Sequence, residues 1–324
     1  MEKTITFLNE NIALLGLVVV LILGVLINPL FSTPENLSNL LRTTSITGFV
    51  AIGMTFVILC GSIDLSVSSV FSLSGFLFIY FSQQSDMLAI LMPLVVGVTI
   101  GVVNGVLITR FAIPAFIGTL ATMLFVRGLV LVLTNENTYK VKILSSVLYY
   151  FGRGDIVQYV SFPLVMFTIA LLIASYILRR RTVGRAMYIV GGNAEAAKMM
   201  GVNVSTTLII AHVISSFMAS VGGIVLASRV GAAYPLSGTG YELIAIAAVV
   251  IGGARLSGGV GRISGTCIGV LIMGAFSNIF NLQGFLDPVW EFVVVGTVLL
   301  VVVVMQAVVT NVGLQSISNQ KAIF

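Results

Sequence analysis

Long apolar runs recur along this chain with very little between them, and that spacing leaves few folds open. The runs lie at about 12–27, 45–60, 65–81, 88–109, 113–133, 159–178, 206–227, 241–254, 263–280 and 289–309. About 20 mostly apolar residues cross the hydrocarbon of a bilayer as a helix. A backbone in lipid must satisfy its own hydrogen bonds, which favours helices over open strands. The expected fold is an all-α integral membrane protein of about ten transmembrane helices, forming a single domain over residues 1–324. Composition agrees. Hydrophobic residues make up 58% of the chain and charged residues only 8%, against about 25% charged in a soluble domain. So few charges cannot coat a water-facing surface, which excludes a soluble enzyme. Disorder is excluded as well, because it requires low hydrophobicity and high charge.

A net charge of +5 would suit a nucleic-acid ligand if the basic residues clustered on one surface. They flank the apolar runs instead, so they read as orientation signals. Ten spans put both termini on one side. With the N-terminus inside, ten Lys and Arg residues fall on the inner side and five on the outer, with Arg127 inside a span. Arg179, Arg180, Arg181, Arg185 and Lys198 supply half of the inner set, which makes the loop that carries them the main cytoplasmic one. Met1, Glu2 and Lys3 precede the first apolar run, which ends at Asn28-Pro29 with no small-x-small pattern. That run reads as a retained anchor, not a cleaved leader.

Residues 182–204 read TVGRAMYIVGGNAEAAKMMGVNV. Asn193 is a good helix N-cap, 194–200 are mostly strong helix formers, and Gly201 suits a left-handed C-cap. A helix this short needs a surface to lie against, and Ala196, Ala197, Met199 and Met200 would give it an apolar patch beside Glu195 and Lys198. It is either an ordinary interfacial helix or a docking element for a partner. Asp64 stands between two apolar runs, where a carboxylate is costly and a functional role is a default candidate; the alternative is an N-cap for a helix beginning at Leu65. Arg127 and Glu242 are the other charges near membrane depth. The sole histidine, His212, suits a packed or hydrogen-bonded core position better than a metal site, and no metal site is expected. Cys60 and Cys267 make no disulfide framework. The short run at 241–254 is flanked by Gly238, Gly240, Gly252 and Gly253, as in the broken helices that line transport paths. The stretch GGARLSGGVGRISG is glycine-rich, but G-x-x-x-x-G-K-[ST] occurs nowhere in the chain, so any ATP must be bound by another subunit. No catalytic constellation is visible.

The segment GRAMYIVGGNAEAAKMMGV resembles the coupling segment of sugar-type ABC importer permeases. GMTFVILCGSIDLSVSS, SGTGYELIAIAAVVIGGARLSGGVGRISGTCIG and LFVRGLVLVLTN resemble further signatures of that family. Together they cover about residues 30–310, and the likeness is strongest to the ribose permeases. The resemblance implies a permease fold with inverted-repeat halves, spans 2–5 and 7–10. It implies a bacterial inner-membrane location with both termini cytoplasmic, and a dimer with a second copy or paralogue. A cytoplasmic ATPase subunit would touch Gly191, Gly192, Asn193, Glu195, Ala196, Ala197 and Gly201. An extracytoplasmic binding protein would deliver a monosaccharide or polyol. The chain would be a transport subunit with no cofactor of its own, not an enzyme. Ser62, Asp64, Asn104, Arg127 and Glu242 are candidates for the translocation path or gate. Ser62 and Ser69 stand where the family has glycine, which would strain a turn that needs positive φ there. The alternatives are a self-contained secondary transporter or facilitator, which ion coupling would mark with acids or histidines inside spans, and a structural subunit of a membrane complex.

Overall fold

The computed structural model describes residues 2–141, 144–284, 290, 293–301 and 304. Among them the chain forms α1 (Glu2–Ile27), a 3-10 turn (Pro29–Ser32), α2 (Pro34–Leu59), α3 (Val67–Phe81), α4 (Asp86–Arg110) and α5 (Ala115–Thr134). An outer segment follows, with β1 (Tyr139–Lys140), α6 (Ser146–Arg153), β2 (Asp155–Val157) and β3 (Val160–Ser161). The rest is α7 (Phe162–Arg180), α8 (Thr182–Gly192), α9 (Ala194–Met199), α10 (Val204–Val230), β4 (Ala232–Ala233), α11 (Tyr241–Ile251) and α12 (Ile263–Gln283). Six helices are long and apolar enough to cross a membrane: α2, α4, α5, α7, α10 and α12. Ala13–Ile27 of α1, together with α3 and α11, are shorter apolar helices. The expected run at 289–309 lies mostly outside the described residues; 290, 293–301 and 304 are helical.

Two boundaries depart from the hydrophobic pattern for identifiable reasons. Helix α2 starts at Pro34, well before its apolar run, because Thr33 accepts a hydrogen bond from the Asn36 amide and Pro34 is preset for the first helical position. Its first turns therefore project beyond the apolar layer. The polar stretch at 182–192 is also helical. Its glycines weaken the signal for helix, but Gly184 lets α8 press onto the backbone of Leu178, where a Cβ would lie 2.5 Å from that residue's Cα, and Met187 and Val190 are buried.

Helices α2 and α10 form the centre. The most apolar window of α2 is 78% buried, against 28% for α4 and α5 and 22% for α7. Helix α10 packs on α2, α3 and α4, while α2 packs on α10, α11 and α12. In lipid, apolar side chains gain little by leaving the solvent, so helices associate through close van der Waals contact. Gly97, Gly101 and Gly105 place a bare stripe of α4 against α10. A Cβ at Gly101 would sit 2.7 Å from the His212 carbonyl oxygen, and one at Gly105 would sit 2.6 Å from the Ile209 Cα. Helix α12 meets α11 in the same way, with Gly265 over Gly252 and Gly269 over Ala248. Helix α1 and the 3-10 turn are held to α12 by Asn28, which donates to the Leu282 carbonyl (3.1 Å), and by the paired amides of Asn36 and Asn278 (2.8 and 2.9 Å).

At 1.5 Å per residue α3 and α11 are about 22 and 16 Å long, short of the roughly 30 Å hydrocarbon layer. Their N-terminal ends meet: the Gly238 amide donates to Ser72 Oγ (2.9 Å) and the Tyr241 ring stacks on Phe71 at 4.5 Å. The two polar regions of the chain cap opposite ends of α10. Strand β4 follows its C-terminal end and pairs antiparallel with β1, and Arg153 donates to the Arg229 carbonyl there. The α8–α9 elbow lies at its N-terminal end, about 40 Å away along 27 residues.

The glycine stripe sets a test. Gly101→Leu or Gly105→Val should lower stability by about 1–3 kcal/mol or more through overpacking, read as a drop in melting temperature of the detergent-solubilised protein. Gly128→Ala, with nothing within 4 Å of the added carbon, should leave the melting temperature unchanged or slightly raised; equal losses at all three positions would contradict the stripe.

Candidate functional site

The α8–α9 elbow is built by local capping. Asn193 Oδ1 accepts from the Ala196 amide (2.9 Å) and starts α9. Gly201, at φ +78°, ends it: its amide donates to the Lys198 carbonyl and the Val202 amide to the Ala197 carbonyl, both at 3.0 Å. Gly192, Asn193, Glu195, Ala196 and Gly201 are exposed. The apolar patch expected over Ala196, Ala197, Met199 and Met200 does not form. Two residues on a helix stand about 200° apart around its axis, so Ala197 turns inward at 0% exposure while Met199 turns outward at 87%. Ala197 belongs to the chain's own packing, which corrects its placement among outward-facing residues.

Gly191 also serves the interior. A Cβ there would fall 1.8 Å from the Leu59 carbonyl oxygen and 2.5 Å from the Gly259 nitrogen. The Gly259 amide donates to that same Leu59 carbonyl (2.9 Å). Gly61, Gly258 and Gly259 all have positive φ, and a Cβ on Gly258 would meet Gly61 at 2.7 Å. Three segments thus touch backbone to backbone: the end of α2, the start of the elbow and the glycine-rich turn before α12. The same turn is tied to α8 by Tyr188, whose hydroxyl donates to the Gly261 carbonyl (2.9 Å). Burial pushes the Tyr188 phenol above its usual range, against the opposing pull of Arg262 and Arg179.

Residues beyond Gly61 form a buried polar turn. Ser62, Asp64 and Asn104 come together there, joined by Ser66, Thr119 and His212. Asp64 Oδ1 accepts from the Ser66 amide (3.0 Å) and from Ser66 Oγ (2.6 Å), and Asn104 Nδ2 donates to Ser66 Oγ (2.8 Å). Helix α3 begins at Val67, not Leu65, so Asp64 braces the turn ahead of the helix instead of capping it. The Leu65 amide donates to Thr119 Oγ1 of α5 (3.2 Å). His212 of α10 is hydrogen-bonded through Nε2 to Ser62 Oγ (3.0 Å), and its Nδ1 faces Asp64 Oδ2 at 3.7 Å with both side chains fully buried. That separation is ion-pair spacing, too long for a hydrogen bond. The turn therefore holds α2, α3, α4, α5 and α10 to one point, with no nucleophile and base set for covalent chemistry. The serines that replace glycine carry no strain: the positive φ falls on Gly61, and neither Ser62 nor Ser69 is left-handed.

Arg127 and Glu242 stand apart from this group. Arg127 is half-buried on α5 and its Nη2 lies 3.4 Å from Ser68 Oγ at the start of α3. Glu242 lies in the first turn of α11, with a buried Oε2 that makes no hydrogen bond among the described residues. Sequence reasoning placed His212 in the core but could not pair it with Ser62, 150 positions away.

The chain matches the family model described as branched-chain amino acid transport system / permease component over residues 36–303. The ribose import permease protein RbsC of Bacillus subtilis (strain 168) is 40% identical over 293 residues, covering 90% of each chain. The protein of the same name from Escherichia coli (strain K12) is 38% identical over 304 residues, 93% of this chain and 94% of that one. The xylose transport system permease protein XylH of Haemophilus influenzae is 31% identical over 340 residues, 84% of this chain and 89% of that one. No solved structure matches.

The buried turn generates a prediction of its own. Asp64→Ala strands His212 and the Ser66 donors, and removing one partner of a buried pair costs about 3–5 kcal/mol. Asp64→Asn keeps an oxygen for Ser66 and should cost clearly less. Melting temperatures of the two purified variants decide it; no difference between them would show that Asp64 does not brace the turn.

Proposed function

We propose, for a chain that belongs to the branched-chain amino acid transport system / permease component family, the role of membrane-embedded permease subunit in an ATP-driven importer of a monosaccharide or related polyol. The observation that carries this reading is 40% identity along nine-tenths of the chain to a ribose import permease; relatives named for xylose and arabinose widen the sugar class. ATP would be bound and hydrolysed by a separate cytoplasmic ATPase subunit, since the chain has no phosphate loop. The exposed rim of the elbow, from Gly192 through Glu195 to Gly201, is the surface that subunit would push. An extracytoplasmic binding protein would deliver sugar at the opposite end of α10, and a second permease copy or paralogue would complete the path.

The backbone junction supports a route for that push. Movement of the elbow at Gly191 bears directly on Leu59 and Gly259, and Leu59 leads within a few residues into the buried turn of Ser62 and Asp64. A shift there would reorient α3 against α10. Such a shift imports sugar only if ATP and the loaded binding protein stabilise different states. The reciprocal packing of α2 on α10, α11 and α12, and of α10 on α2, α3 and α4, favours the inverted-repeat relation between α2–α5 and the portion from α10 onward. With the tenth run at 289–309 and the excess of inner basic residues, it supports ten spans with both termini cytoplasmic in a bacterial inner membrane. The Asp64–His212 pair favours one other reading, a proton-coupled carrier, because buried ionisable pairs in spans often relay protons.

Two experiments separate these readings. An insertion within 193–200, or Glu195→Arg, should cut ATP-dependent sugar uptake by about tenfold or more, the scale of a lost coupling, while leaving the protein in the membrane. A photo-crosslinker at Met199 should capture the ATPase subunit, and one at the buried Ala197 should not. Proton-driven sugar uptake by proteoliposomes that contain this chain alone would reverse the choice in favour of the carrier.

A further inference from the structure

A cavity of about 190 Å³ lies among α2, α11 and α12. Its wall carries the hydroxyls of Thr43, Thr44, Thr47, Thr239 and Ser277 and the ring of Tyr241, and no charged side chain. Threonines in these helices commonly return their hydroxyl to the carbonyl four residues back, as Thr55, Thr99, Thr109 and Thr168 do at 2.8, 2.8, 2.7 and 2.8 Å. Thr43 does so too, to Asn39 (2.9 Å), while accepting from Arg229 Nη1 (2.7 Å). Thr44 does not. It is 2% exposed, it faces this cavity, and its Oγ1 has no hydrogen-bond partner among the described residues. A buried hydroxyl left unpaired is costly, so its place at the cavity wall points to a polar group that arrives from outside the chain.

We propose that this cavity is a station for the sugar inside the permease, where a neutral polyol exchanges hydrogen bonds with Thr44, Thr47, Thr239 and Ser277 against the Tyr241 ring. Hydroxyls both donate and accept, so a ring of them suits a ligand that does the same. The uncharged lining offers no counter-charge to an ionic solute. The volume is below the roughly 300–1,000 Å³ of drug-sized pockets and suits a small polyol. Tyr241 is fixed by its stack on Phe71 of α3, so the station sits where the starts of the two short helices meet. Movement of α3 against α10 would reach it through that stack. The contacts are weak, as a site that must release its cargo requires.

The inference rests on the importer reading and extends it to the place where cargo touches the chain. The test uses the assembled complex in lipid nanodiscs without nucleotide, with D-ribose as the probe in saturation-transfer NMR and glycine betaine as the hydroxyl-free control. Ribose should give a signal and betaine none. Thr44→Val should weaken ribose binding by about tenfold, the scale of one lost hydrogen bond to a buried hydroxyl, and it should not lower the melting temperature, because it removes an unpaired group. The triple variant Thr44→Val, Thr47→Val, Ser277→Ala should abolish the signal and reduce uptake, with the ATPase rate unchanged. A ribose signal that persists in the triple variant, or is absent from the unaltered complex, overturns the station. ATP-driven uptake is read separately: its absence beside a Thr44-dependent ribose signal would remove the importer and leave the station standing.

Discussion

Contact at backbone distance between helices is the condition on which the rest of this structure depends. In a bilayer the surrounding tails are as apolar as leucine, so greasy side chains do not by themselves drive helices together. The stripe of Gly97, Gly101 and Gly105 removes the side chains that would hold α4 away from α10, and Gly265 and Gly269 do the same between α12 and α11. Such closeness gathers many weak dispersion contacts. It also brings distant polar groups within reach, which is how Asn104, one position before Gly105, arrives at Ser66.

The buried turn follows from that closeness. A carboxylate, an imidazole and several hydroxyls sit together at a depth where water is scarce, and they are tolerated because most of them satisfy one another. Ser62, Asp64 and His212 lie on segments that converge only once α2, α3 and α10 have packed. The turn starts one residue after Gly61, which itself rests against the glycine-rich loop and the elbow. Polar hub and cytoplasmic elbow therefore form one continuous structure. A displacement at one is felt at the other without passing through flexible side chains.

Much of this was legible in the sequence. Apolar runs of bilayer length marked the long helices because a membrane span depends on composition alone. Asn193 and Gly201 marked the limits of α9 because capping is local chemistry. What stayed hidden was non-local or masked by composition. The early start of α2 rests on the Thr33 cap ahead of a polar stretch. Helix α8 was obscured by its glycines, whose value is the space they leave against Leu178. The orientation of Ala197 required a helical wheel fixed by tertiary packing, and the pairing of Ser62 with His212 spans most of the fold. The hydroxyl-lined cavity draws on three separated segments, each of which reads as ordinary membrane helix.

The three-way junction of Gly61, Gly191 and Gly259 has an evolutionary corollary. At Gly191 even a methyl group would collide with the Leu59 carbonyl, so this contact admits no gradual retuning by side-chain substitution. Adaptation to a different engine must then be written on the outward rim, at positions such as Glu195, Lys198 and Met199, where residues can change freely without disturbing the joint behind them.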